Sequence, residues 1–266
     1  MTRTHKVATA TVLVTLLLLE ASSARAELNA PSAARLAALS ATPALAGKLI
    51  YRGATFAQNT AGSEPLFRYE RRLSTTPTAL EAAHLTRNPA QELIIAEVAQ
   101  FNAAYQLQRF TAQNQQLGYS AEVLVSGDGR RLQYSLNDNG VVSAAEETID
   151  QPAVSGPSLF GFILAHGAEL EAGKTVPARF ISLKEKRTYG LDIFLESSAK
   201  GQAVYAITLS NWVLRPFIGT MRVVVDVNSK TVVRYEGRVP PMQTVAGKLV
   251  DLDARVDYTT VTATYR

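Results

Sequence analysis

Hydrophobic and polar residues alternate along most of the chain after residue 66. In RLQYSLN the side chains of Leu132, Tyr134 and Leu136 share one face, and AVYAITL and DLDARVDY repeat this period of two. Successive side chains of a strand point to opposite faces, so the pattern predicts strands with one buried side. Asp-Gly in SGDGR (126–130) and Asn-Gly in NDNG (137–140) are typical of tight hairpins. We therefore expect a mainly β protein, a curled antiparallel meander of about ten strands that forms an open or closed barrel.

One hairpin permits a prediction of register. With a three-residue loop at 228–230, the facing pairs are Val225 with Val233, Val223 with Tyr235, and Arg222 with Glu236. Apolar residues then meet on one face and opposite charges on the other, which is how cross-strand pairs stabilise a sheet.

The run SGPSLFGFILAHGAELEAGK interrupts the alternation and predicts one central helix. Ser155 or Ser158 is suited to cap it, Pro157 suits the first turn, and Gly167 or Gly173 is suited to end it. Its segment 158–166 is apolar nearly all round, which indicates burial in the mouth of the curled sheet. Such a helix is either permanent core or a gate to a cavity, and the sequence leaves both alternatives open.

Three regions are expected along the chain. Residues 1–26 are typical of a signal peptide, with a basic start, an apolar stretch of about 13 residues and Ala-x-Ala before Glu27. Residues 27–60 are predicted to be an Ala-rich N-terminal segment and loop, and residues 61–266 the antiparallel β domain. The mature protein is therefore expected in the periplasm or outside the cell.

Composition narrows the chemistry. The chain has no cysteine, which excludes disulfides, thiolate zinc sites and a thiol nucleophile. The formal net charge is +4, part of it in the leader, and acidic and basic residues are interspersed. The dense group RYERR (68–72) is interpreted as a solvated strand face, so nucleic acid is not an expected partner.

No group of residues predicts an active site, a metal site or a cofactor. His166 and His84 lack a nucleophile motif beside them, and a histidine near a helix end also serves as a carbonyl cap. The aspartates of DLDARVD run along one strand face rather than around a point, and neighbouring Glu146 and Glu147 point apart.

Apolar residues predict a binding site instead. Pockets are mostly apolar with a few polar anchors, and barrel mouths are favoured places for them. The expected ligand-binding residues are Phe160, Phe162, Ile163, Trp212 and Phe217, with Arg215 as the anchor of an anionic head. Arg109 and Arg222 are alternative anchors, and plain core packing is the alternative to a pocket.

The leader, the long meander, the helix run, LEAGKTVPARF entering a strand and the hairpin VVVDVNSKTVVRYEG together resemble a group of uncharacterised exported bacterial β-proteins. The resemblance covers roughly residues 66–240 and is one of element order. It is similar in style to the half-barrels of periplasmic lipoprotein carriers. This resemblance implies a concave apolar face covered by a helix and suited to a lipid.

The expected function is that of a non-enzymatic periplasmic β-protein that binds a lipid or other hydrophobic ligand, or that assists envelope maintenance with an envelope protein as partner. Two alternatives remain from the sequence: an integral outer-membrane β-barrel, and a periplasmic hydrolase that uses His166.

Overall fold

The computed structural model describes residues 47–58, 64–75, 79–102, 104–213, 215–216 and 218–262. The predicted signal peptide lies outside these residues. Fifteen strands form within the described ranges, and they are β1 Lys48–Ala57, β2 Phe67–Thr75, β3 Leu80–Arg87, β4 Leu93–Phe101, β5 Leu107–Asn114, β6 Tyr119–Val125, β7 Arg131–Asp138, β8 Val141–Thr148, β9 Ala153–Val154, β10 Val176–Ser182, β11 Arg187–Ala199, β12 Gln202–Leu209, β13 Met221–Asp226, β14 Thr231–Val245 and β15 Lys248–Thr260. Two short helices, α1 Gly156–Ala165 and α2 Gly167–Glu171, lie between β9 and β10.

All fifteen strands belong to one open sheet. Their order is β8-β7-β6-β5-β4-β3-β2-β1-β15-β14-β13-β12-β11-β10-β9, so β8 and β9 are the edges. Neighbouring strands are antiparallel except for β9 and β10, which are parallel. The prediction of a mainly β antiparallel meander is therefore confirmed.

The predicted number of about ten strands is too low. One reason is that β9 has two residues and no period at all. A second is that β1 lies inside residues 27–60, for which no strand was predicted.

The sheet curls until its two ends come together. Glu147 of edge strand β8 accepts hydrogen bonds from Thr188 Oγ1 of β11 at 2.7 Å and from Arg179 Nη2 of β10 at 3.2 Å. Further along, Lys184 Nζ donates to Asp138 Oδ2 at 2.8 Å. These side-chain contacts, the last of them from the β10–β11 turn, join the two ends of the strand order, and they give the sheet a concave face without closing its backbone ladder.

The β13–β14 hairpin confirms two of its three predicted pairs. Val223 faces Tyr235 and Arg222 faces Glu236, whereas Val225 faces Val232 rather than Val233. The loop has four residues, 227–230, because Asp226 pairs with Thr231. Val233 is the extra residue at the register shift between Val224 and Val225, and this bulge restores the predicted alignment beyond it.

Helix α1 begins where the sequence predicts. Ser155 is its N-cap, Pro157 lies in the first turn, and Ser155 N–H donates to Ser158 Oγ at 2.8 Å. The single central helix that was predicted is instead two short ones: α1 ends at Ala165 with His166 as C-cap, and α2 follows at once and ends at Glu171. Gly173, two residues later, has a φ of 79°. Residues 157–163 are buried, but burial was predicted through residue 166, and there Leu164 and His166 are half-buried and Ala165 is exposed.

The core lies on the concave face. Leu159, Phe160, Phe162 and Ile163 of α1 join side chains of β10–β14 in one hydrophobic cluster. A second cluster joins β3–β8 to residues 181 and 183 at the end of β10, again across the curl. Within the described ranges, neither helix is long and apolar enough to span a membrane.

Candidate functional site

A cavity of about 560 Å³ lies between the first turns of α1 and the concave face of the sheet. This volume is in the range of small-molecule sites. Among the residues that the structure describes, eight aromatic side chains line it: Tyr69, Phe110, Tyr119, Phe160, Phe180, Tyr189, Tyr235 and Tyr258. Aliphatic residues such as Leu159, Leu191 and Ile218 supply much of the remaining wall. The cavity is therefore predominantly apolar, with a few polar groups at fixed places.

Three ionisable residues lie in a row behind one end of this cavity. Arg71 of β2 is the register partner of His84 of β3, and His84 is the register partner of Glu97 of β4. Register partners on adjacent strands project from the same face of a sheet. The row therefore runs across the concave face, and His84 and Glu97 both line the cavity.

Arg71 connects this row to the helix. Its side chain is 1% exposed, and Nη1 donates to the carbonyl oxygen of Pro157 at 2.7 Å and to Nε2 of His84 at 2.6 Å. A guanidinium has only donors, so Nε2 of His84 accepts and its proton resides on Nδ1. Burial and the neighbouring Arg71 charge hold the pKa of His84 well below its ordinary value. The ring of Phe160 lies 6.0 Å from the guanidinium carbon.

Glu97 lies under the first residue of α1. A Cβ placed on Gly156 would be 3.6 and 3.7 Å from the two Glu97 carboxylate oxygens and 3.9 Å from His84 Nδ1. Burial raises the pKa of Glu97 from its ordinary value of 4.5 to about 7. Burial and the Glu97 charge raise the pKa of neighbouring Tyr119 to about 12.

Glu97 differs from the other charged groups that line the cavity. Lys184 pairs with Asp138 at 2.8 Å, and Arg238 pairs with Asp251 at 2.5 Å. Glu185 accepts a hydrogen bond from Tyr189. Among the described residues, Glu97 has neither a hydrogen bond nor an ion pair, so its carboxylate is the polar group that a ligand would find unsatisfied.

Only part of the predicted binding set lines this cavity. Phe160 does, with its ring 5.7 Å from that of Tyr258. Phe162 and Ile163 are buried in the core beside it without forming its wall. Phe162 instead packs on the ring of His166 at 4.4 Å.

The predicted residues of the β12–β13 loop lie elsewhere. Trp212 is 77% exposed and does not line the cavity. Arg215 donates to the Leu209 carbonyl oxygen at 2.5 Å and pairs with Asp192 at 3.1 Å. Phe217 lies outside the described residues. Arg109 and Arg222, the alternative anchors, pair with Glu122 and Glu196.

The remaining candidates have structural partners. Nδ1 of His166 lies 2.9 Å from Oε1 of Glu169, both at the surface. Asp251 and Asp253 pair with Arg238, and Asp257 pairs with a neighbouring arginine. No group of three or more metal-ligating side chains occurs in the described part of the chain.

Arg71 and Glu97 were missed by the sequence analysis, although a signal is present. Arg71 shares the period-two face of Phe67 and Tyr69, and Glu97 shares that of Ile95 and Ala99. An ionisable residue on the apolar face of a strand is the observation that would have indicated the row. The interpretation of RYERR as a solvated face is wrong for Arg71, which is buried.

Comparison with known proteins adds little. No protein-family model and no curated protein matches the sequence. Among solved structures, an acyl-CoA thioesterase II, TesB2 from Mycobacterium marinum, is similar at 12% identity over 80% of this chain and 80% of that chain, with a TM-score of 0.15. A TM-score this low bears on neither fold nor function.

Proposed function

We propose that the protein is a non-enzymatic binding protein of the bacterial envelope that encloses one lipid tail or other apolar small molecule. The observation that carries this proposal is the aromatic-lined cavity of about 560 Å³ under α1. Export through the leader at 1–26 is part of the proposal. The outer-membrane barrel and the hydrolase remain predictions from the sequence.

The wall of the cavity supports binding rather than catalysis. Acid-base catalysis needs a group that exchanges protons near neutrality beside a nucleophile. His84 accepts from a guanidinium and has a lowered pKa, so it stays neutral. Glu97, whose pKa is raised to about 7, does exchange protons near neutrality. Among the described residues, however, no serine, threonine or lysine donates a hydrogen bond to either side chain, so neither has a nucleophile to activate. The apolar surface instead gains free energy by excluding water from an apolar ligand.

Helix α1 would act as the cover of the bound molecule. Leu159 and Phe160 contribute to the cavity wall, while Arg71 holds the Pro157 carbonyl against the sheet. Replacing Phe160 and Phe162 together by alanine is a poor test of this role, because each is buried and each truncation costs about 3–5 kcal/mol of folding free energy.

A cavity-filling pair of variants gives a sharper test. Ala112 lines the cavity beside Glu97, its register partner, whereas Ala144 is exposed on β8. We expect Ala112→Leu to weaken binding of the neutral fluorophore diphenylhexatriene by about tenfold or more, and Ala144→Leu to leave it unchanged. Far-UV circular dichroism checks that both variants fold.

Native mass spectrometry of the protein from the periplasm of its own host supplies the second measurement. A bound mass that disappears on organic extraction is expected. Failure of the fluorophore to bind, or equal binding by both leucine variants, would contradict the proposal.

A further inference from the structure

We propose that the cavity selects an apolar molecule whose head is an ammonium group, and that Glu97 is the residue that binds this head. This inference rests on the proposed function, because it concerns the polar end of the same cavity. It names a ligand class opposite in charge to the anionic head expected from the sequence.

Glu97 presents an unsatisfied carboxylate to the cavity. Its carboxylate faces the cavity without a hydrogen bond or ion pair among the described residues, under the backbone of Gly156. Glu97 is half-buried, and a carboxylate withdrawn from most of its water without a partner is costly, so a donor that carries positive charge satisfies it best. An ammonium head offers three donors and the opposite charge in one small group.

The cationic side chains around the cavity already have partners. An anionic head needs a cation that faces the cavity, yet the two cations that line it within the described ranges, Lys184 and Arg238, already pair with aspartates. Arg71 lies behind the wall, with its guanidinium bonded to His84 and to the Pro157 carbonyl. The described part of the wall therefore offers a carboxylate that needs a donor, and its cations are already paired with carboxylates.

Aromatic rings line the end of the cavity near His84. The rings of Tyr69 and Tyr258 are 5.5 Å apart, Tyr258 and Phe160 are 5.7 Å apart, and Tyr69 packs edge-on against His84 at 4.8 Å. These three rings share the end of the cavity that holds His84. Aromatic faces attract cations, most strongly where water is excluded, so they favour an ammonium head over a carboxylate.

The test uses three twelve-carbon ligands that differ only in their heads: dodecylamine, dodecanol and dodecanoate. Calorimetric titration at pH 8 is made on the full exported protein, on Glu97→Gln and on the control Glu146→Gln, whose carboxylate is exposed on β8. We expect dodecylamine to bind the wild type about tenfold or more tighter than dodecanol, and dodecanoate to bind most weakly.

The variants separate the anchor from the cavity. Glu97→Gln should lose about tenfold or more of its dodecylamine affinity and keep its dodecanol affinity, whereas Glu146→Gln should change neither. If dodecanol binds but dodecylamine has no advantage, or if Glu97→Gln leaves that advantage intact, the ammonium inference is refuted and the cavity proposal stands. If none of the three ligands binds, both are refuted.

Discussion

Replacing Glu97 by glutamine should stabilise the protein at alkaline pH and have a much smaller effect at acid pH. The folded protein holds the pKa of this carboxyl at about 7, above its ordinary value of 4.5. Glutamine has nearly the same shape and stays neutral, so it avoids the cost of ionising a buried group. At about 1.4 kcal/mol per unit of pKa shift, the full cost is about 3.5 kcal/mol, of which about 2.5 kcal/mol appears between pH 5 and pH 8.

The direction of this pH dependence follows from the number of protons that the folded and unfolded chains bind. Between pH 4.5 and about 7 the folded chain keeps a proton on Glu97 that the unfolded chain releases, so this residue lowers wild-type stability as pH rises. His84 acts in the opposite direction, because its lowered pKa makes the unfolded chain bind the extra proton below about pH 6.5. The difference between variant and wild type removes the His84 contribution, which both proteins share.

The assay is urea unfolding at pH 5, 6, 7 and 8, followed by circular dichroism. The expected difference in unfolding free energy rises with pH by about 2.5 kcal/mol in favour of Glu97→Gln. Glu146→Gln, exposed on β8, should give a flat difference. A flat profile for Glu97→Gln as well, or a loss of stability at pH 8, would refute the reasoning.

Three further predictions concern the surroundings of the cavity and the curl of the sheet. Arg71→Met leaves the Pro157 carbonyl and His84 Nε2 without their donor, so it should lower the unfolding free energy measured in urea by about 2–4 kcal/mol. Arg68 is exposed, and Arg68→Met should change that free energy by no more than about 0.5 kcal/mol. Equal effects of the two replacements would contradict the role of Arg71. Gly140 has a φ of 91°, so Gly140→Ala should lower the unfolding free energy in the same urea assay by about 1 kcal/mol. Gly127 has equally open space around it and no positive φ, so Gly127→Ala should be nearly neutral. Similar losses for both variants would show that the backbone of the Asn-Gly turn is not the cause. Glu147→Gln weakens the ion pair between β8 and Arg179. It should speed amide hydrogen exchange across Val141–Thr148 while the global unfolding free energy changes by less than about 1 kcal/mol. Unchanged exchange would mean that other contacts hold this edge of the sheet.

The sequence predicted those parts of the fold in which local chemistry and tertiary packing agree. Alternation assigned the buried faces of β7, β12 and β15, and Asn139-Gly140 marked a hairpin whose two loop residues have φ angles of 51° and 91°. The Ser155 cap and Pro157 fixed the start of α1. Each of these signals acts over a few residues, so it survives without knowledge of distant partners.

Long-range geometry was not predictable in the same way. The bulge at Val233 depends on a four-residue loop with Lys230 at a φ of 53°, and the sequence favoured three residues there. The cavity depends on the curl that brings β8 to β10, and no local pattern encodes which ends of the sheet meet. Trp212 was expected in a pocket because it is apolar, but its loop places it in solvent.

The roles of the three residues in the row differ because their partners differ. Arg71 donates hydrogen bonds to the Pro157 carbonyl and to His84, so removing its side chain breaks contacts that hold α1 on the sheet. His84 remains neutral, accepts a hydrogen bond from Arg71 and packs against the ring of Tyr69. Glu97 supports neither neighbour by a hydrogen bond, and its burial costs stability at neutral pH. A residue that costs folding free energy while facing an apolar cavity is best explained by what it binds there, which is why Glu97 rather than His84 is the residue to replace first.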